Sequence, residues 1–137
     1  MTLRDRPAPT DRATFPPRMR LRHDLEFARV FEAKVKKPRG PLTGFAVPNG
    51  RPHWRLGLSI GRSAGSAVER NAIKRRVREA FRLTNREFPM RPDGGYDLVI
   101  AARAHDPLPA AEYRALMLAI SEALHKIWTK RETGDAS

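Results

Sequence analysis

The clearest periodic signal in the chain spans residues 69–82, Glu-Arg-Asn-Ala-Ile-Lys-Arg-Arg-Val-Arg-Glu-Ala-Phe-Arg. At about 100° per residue, Arg70, Asn71, Lys74, Arg75, Arg78 and Arg82 fall along one broad face of a helix. Ile73, Val77 and Ala80 take the opposite face, with Phe81 at its edge. The pattern predicts a helix whose apolar back presses on a core while its cationic front stays free. Upstream, Ser66-Ala67-Val68-Glu69 reads as a capping box, in which each side chain satisfies the other residue's free amide. The helix is expected from about residue 67 to 86, ending before Pro89, whose ring disfavours continuation.

The remaining pattern is taken in chain order. A first helix is predicted from residue 24 to about 34, with Asp24 as N-cap and Glu26 near the positive end of the dipole. Leu21 precedes it, and Leu25, Phe27, Ala28, Val30 and Phe31 follow. Phe27 and Phe31 are four apart and share a face. Two interpretations stand at this point: core aromatics, or rings lining a groove in which unpaired bases stack. Residues 34–41, with three lysines, an arginine and two prolines, read as a basic loop. Residues 42–47 alternate weakly and read as a strand. Pro48-Asn49-Gly50-Arg51-Pro52 then signals a hairpin into residues 54–60, where Trp54, Leu56, Leu58 and Ile60 recur at period two. Arg55, Gly57 and Ser59 share the other face of that strand, a small and basic surface that admits an extended polymer.

Residues 96–102 form a short apolar run, which suits an interior strand. Residues 110–129 are predicted helical, with Tyr113, Leu116, Met117, Ile120, Leu124, Ile127 and Trp128 as its core stripe. The order helix–strand–strand–helix–strand–helix predicts an α/β (α+β) two-layer sandwich, with helices packed on one small central sheet. Residues 1–18, with prolines at 7, 9, 16 and 17, read as a disordered basic N-terminal extension. A single domain is expected over residues 19–129, followed by a flexible polar tail at 130–137.

Charge turns this outline towards a partner. The chain of 137 residues carries 27 Lys and Arg against 15 Asp and Glu, a formal net charge of +12. Such an excess predicts attraction to polyanions. An apolar run of roughly 18 residues, long enough to span a bilayer, is missing, so a membrane is not expected as partner. Cysteine is absent, and the first 17 residues hold no apolar stretch of a secretory signal, so a cytoplasmic location is expected. His23, His53, His105 and His125 are scattered singly, without metal-ligand spacing or a neighbouring nucleophile motif. The loop before the cationic helix lacks the G-x-x-x-x-G-K-[ST] pattern of nucleoside triphosphatases. The expectation is a binding protein with no catalytic residue of its own, and metal ligands stay unassigned.

Residues 70–81 resemble the signature helix of the bacterial ribonuclease P protein subunit. The likeness extends to Arg55-Leu56-Gly57-Leu58-Ser59-Ile60, to Gly65-Ser66-Ala67-Val68, to residues 20–31 and to the strand at 97–103. It covers roughly residues 20 to 128. The resemblance implies an α/β sandwich with a left-handed βαβ crossover, and a protein that binds a large catalytic RNA. Together the two would remove the 5′ leader of precursor tRNA. The Mg2+-dependent hydrolysis would belong to the RNA subunit, with no further protein partner. By position, Arg70, Asn71, Lys74, Arg75 and Arg78 would contact the catalytic RNA and its ions, with Arg82 further along the same face. Phe27, Phe31 and Phe45 would line the leader cleft in a dual core-and-cleft role, beside Arg55, with Arg62 near the rim. One departure stands out: the family's second arginine, directly after the asparagine, is here Ala72. The runner-up is a ribosomal or other structural RNA-binding protein without a processing role.

Overall fold

The structure is a computed structural model that describes residues 15–132. Along the chain come α1 (Asp24–Glu32), β1 (Lys36–Arg39), β2 (Leu42–Pro48), β3 (Arg55–Ser59), α2 (Ala67–Thr84), β4 (Tyr96–Ala102) and α3 (Ala110–Glu132). Short 3-10 turns occupy Pro17–Met19, Arg62–Ala64 and Asn85–Glu87. The strands form one mixed sheet of order β1-β2-β4-β3, in which only β3 and β4 run parallel. Strand β4 is paired on both sides and buried from Tyr96 to Ile100, which is why its sequence is apolar but for Asp97. The small α+β fold expected from the element order is present.

Alternation along the strands divides the core. Leu42, Ala46, Leu56, Leu98 and Ile100 join Ile73, Val77, Phe81, Tyr113, Met117, Ile120 and Leu124 in the main cluster, beneath α2 and α3. Val99 points the other way and packs with Leu21 and Val30 under α1. Gly44 lets α3 approach closely: a Cβ there would stand 2.4 Å from Ile120 Cγ2. Trp128 closes that contact by donating its indole N–H to the Ala46 carbonyl at 3.0 Å.

Four expectations change. The basic loop at 34–41 contains β1, an edge strand joined to β2 by a tight turn at Gly40-Pro41, with Arg39 opposite Leu42. Its lysines and Pro38 hide it from an alternation search, and such residues are what protein edges use to avoid further pairing. The hairpin between residues 42–47 and 54–60 does not form, because β4 inserts between β2 and β3. Asn49-Gly50 still turns the chain, but the loop wraps the start of β4: Asn49 N–H donates to the Gly95 carbonyl at 3.1 Å, and Gly95 N–H to that of Arg51 at 2.8 Å. The cap of α1 is His23 rather than Asp24, and the Glu26 carboxylate reaches back to accept from the backbone amides of Arg22 and His23. Finally, α3 runs on through residues 130–132 instead of fraying at 130. Glu132 pairs with Arg91, and the Arg131 guanidinium lies 5.3 Å over the Trp128 ring.

At the other end, residues 15–18 belong to the folded body. Phe15 packs edge-on against Phe81 at 5.5 Å, and Arg20 donates twice to its carbonyl. The rest of the expected N-terminal extension, residues 1–14, and the tail at 133–137 lie outside the described residues.

Candidate nucleic-acid interface

Helix α2 begins as its sequence requires. Ser66 Oγ accepts from the Glu69 amide at 3.2 Å, while the Glu69 carboxylate accepts from the Ser66 amide at 2.8 Å. The bond from the Ser66 backbone amide to the carboxylate is the largest cause holding the Glu69 carboxyl below its usual range. Ile73, Val77, Ala80 and Phe81 are buried, so the back of the helix is fixed against the core.

The front sorts into two kinds of cation. Asn71, Arg75 and Arg78 are exposed, and Arg70 and Lys74 half-buried; among the described residues none of the four cations has an ion-pair partner. These are held in place by the helix while their charge stays available. Arg82 differs: it is paired with Glu79 one turn earlier. Arg76, also on this helix, donates to the Leu108 carbonyl ahead of α3 and ties the two helices together. It therefore does not replace the charge absent at Ala72. Arg62 is exposed in the 3-10 turn between β3 and α2.

The three phenylalanines come together on the sheet face covered by α1. Phe31 and Phe45 meet edge to face, with ring centroids 4.9 Å apart, and Lys36 Nζ lies 5.9 Å from the Phe45 centroid. Phe27 rests on β3, where a glycine is demanded: a Cβ at Gly57 would stand 2.7 Å from the tip of the Phe27 ring. Phe27 and Phe45 are half-buried against Leu21, Val30 and Val99, and Phe31 is 37% exposed. Each ring thus packs on one side and is open on another.

Arg55 is placed beside this cleft but is not a free cation. Its Nε and Nη2 donate to the two Asp97 oxygens at 2.8 and 2.7 Å, and Nη1 donates to Glu26 at 3.2 Å. Hydrogen bonding to Asp97, aided by the charges of Asp97 and Glu26, raises the Arg55 pKa against the opposing effect of burial. Asp97 is 1% exposed and is also approached by Arg29 at 3.5 Å and by the Asn49 amide at 3.0 Å. This network, unmarked in the sequence, pins α1 to the floor of the cleft. Its only signal was Arg55 facing Asp97, and that pairing appears once β3 and β4 are aligned in parallel.

A concavity of about 390 Å³ joins the two halves of the site. Phe15, Arg20, Phe27, Gly57, Lys74 and Arg78 are among the residues that line it, so two cations of α2 also border the groove that leads to Phe27. Phe15 and Arg20 were not singled out by the sequence patterns.

Fold and site together define a class: an α+β protein that holds a cationic helix rigidly beside a groove lined with half-open aromatic rings. The family follows from likeness to known proteins. Residues 15–129 match the Ribonuclease P family, and the chain belongs to it. It is 38% identical over 137 residues to the ribonuclease P protein component of Methylococcus capsulatus, covering 97% of this chain and 98% of that one. To the corresponding protein of Limosilactobacillus reuteri it is 32% identical over 114 residues, 82% of this chain and 95% of the other. The solved RNase P protein from Thermotoga maritima is similar with a TM-score of 0.64 at 27% identity, over 75% of this chain and 96% of that one. The Staphylococcus aureus RNase P protein shares the fold, with a TM-score of 0.63 at 21% identity over 77% and 94% of the two chains.

Proposed function

We propose that this chain binds the catalytic RNA of ribonuclease P and the 5′ leader of precursor tRNA, and assists removal of the leader. The observation that carries this is the continuity of the site: Lys74 and Arg78 belong both to the cationic face of α2 and to the groove that runs past Gly57 to Phe27. A protein that only gripped RNA phosphates would need the first half of that arrangement and not the second.

The division of labour follows from the chemistry of each half. Arg70, Asn71, Lys74, Arg75 and Arg78 present donors and charge to phosphate oxygens of a folded RNA, from a helix whose back cannot shift. Phe27, Phe31 and Phe45 offer ring faces and edges on which unpaired bases stack, at about 1–3 kcal/mol per base. Arg62, at the mouth of the turn into α2, adds charge at the rim. Arg55 positions rather than binds, since its guanidinium is held by Asp97 and Glu26 and fixes α1 above the cleft. Arg82, paired with Glu79, contributes less than the unpaired cations.

The hydrolysis is assigned to the RNA, which would hold the Mg2+ ions. The protein's own part is to neutralise phosphates and to hold the leader extended. Affinity purification of the full chain from bacterial cells, with sequencing of the bound RNA, tests this directly. Ribonuclease P RNA and precursor tRNAs should dominate; enrichment of ribosomal RNA instead would overturn it in favour of a structural RNA-binding protein.

A further inference from the structure

A second cationic groove lies between β1 and α3, at the opposite edge of the sheet from β3. It encloses about 500 Å³ and is lined by Lys37, Arg39, Lys126 and Lys130, with Glu122 the single carboxylate among the described lining residues. The fold aims these side chains. Lys37 sits opposite Gly44, the residue against which Ile120 and Leu124 pack, so it points to the α3 side of the sheet. Arg39, two residues on, shares that side, whereas Lys36 takes the other face over Phe45. Lys126 and Lys130 are one turn apart on α3 and stand one above the other. Among the described residues neither Lys37 nor Lys126 has an ion-pair or hydrogen-bond partner.

We infer that this groove binds the phosphate backbone of a double-helical segment of the catalytic RNA, a second contact remote from α2. The inference rests on the proposal that the chain binds that RNA. Three observations select the occupant. Among the described lining residues cations outnumber the one carboxylate, and Lys37 and Lys126 are unpaired, which matches a polyanion. None of the lining residues is aromatic, so the groove offers phosphate contact without a stacking platform, which suits a duplex and not unpaired bases. Its opening faces away from Phe27, Phe31 and Phe45, so a strand held on those rings does not pass through it. It is separated from the β3 edge by a sheet of four strands, about 14 Å across. A folded RNA docked on the front of α2 can place a helical segment against the β1 edge.

The test compares the full-length protein with the Lys37→Ala/Lys126→Ala and Arg75→Ala/Arg78→Ala double variants, each binding ribonuclease P RNA over a range of salt. Equal melting temperatures establish that the variants are folded. If each lysine neutralises a phosphate, the plot of log K against log salt becomes shallower by about two for the groove variant. The chain has no cysteine, so Glu122→Cys offers a unique attachment for an iron chelate, which should cut the RNA within paired segments. A groove variant with the wild-type slope, or cleavage confined to unpaired strands, overturns the inference. If at the same time Arg75→Ala/Arg78→Ala weakens binding, the proposed function stands without the second contact. Failure of the unmodified protein to bind the RNA removes both.

Discussion

Asp97 shows how much of the cleft depends on one buried carboxylate. It accepts two hydrogen bonds from Arg55, one from Asn49, and draws Arg29 towards it, while being 1% exposed. Removing one partner of such a pair leaves the other charge uncompensated in a desolvated site, at a cost of about 3–5 kcal/mol. Asp97→Ala should therefore destabilise the protein by about that amount in denaturant unfolding; a loss below about 1 kcal/mol would contradict the role given to this network. In the sequence Asp97 is the one charged residue within 96–102, and its partner becomes visible only with the parallel alignment of β3 and β4. The same alignment moves Arg55 from leader contact to scaffold. Ala72 stays a real gap in the cationic face, since Arg76 is bound to the Leu108 carbonyl.

Helix α2 keeps its stabilising contacts on one face and its unpaired cations on the other. Ser66 caps it and Ile73, Val77 and Phe81 anchor it, whereas Arg75 and Arg78 touch no acid among the described residues. Ser66→Ala should lower stability by about 1 kcal/mol. Arg75→Ala and Arg78→Ala should each weaken RNA binding while leaving stability within about 0.5 kcal/mol. Parallel thermal melts and RNA titrations check the contrast, and a drop in melting temperature for either arginine variant would make the charged face structural. This element was legible because its signals are local: a capping box, a 3.6-residue period and charge on one side. Strand β1 was not, because an exposed edge strand of Lys-Lys-Pro-Arg has no core face to imprint alternation. The hairpin failed for a complementary reason. Asn-Gly specifies a turn but not which strand lies beside it, and the run buried on both faces at β4 takes the inner place.

At the scale of the whole molecule, charge is distributed around a sheet of four strands. The front of α2 lies at the β3 edge, the Lys37–Lys126 groove at the β1 edge, and the phenylalanine cleft on the α1 face between them. If Arg70, Lys74, Arg75 and Arg78 each neutralise one phosphate, log K falls with log salt at a slope of about −3.6 from α2 alone. That corresponds to a loss of about 150-fold between 50 and 200 mM salt. On the proposed function, such an interface would make the catalytic RNA less reliant on metal ions to offset repulsion between itself and its substrate. This is tested most directly by cleavage of a precursor tRNA by bacterial ribonuclease P RNA at low Mg2+, with and without the protein. The expected result is accelerated release of the 5′ leader at the mature end when the protein is added, the gain shrinking as Mg2+ is raised. Equal rates with and without the protein at low Mg2+ would contradict it.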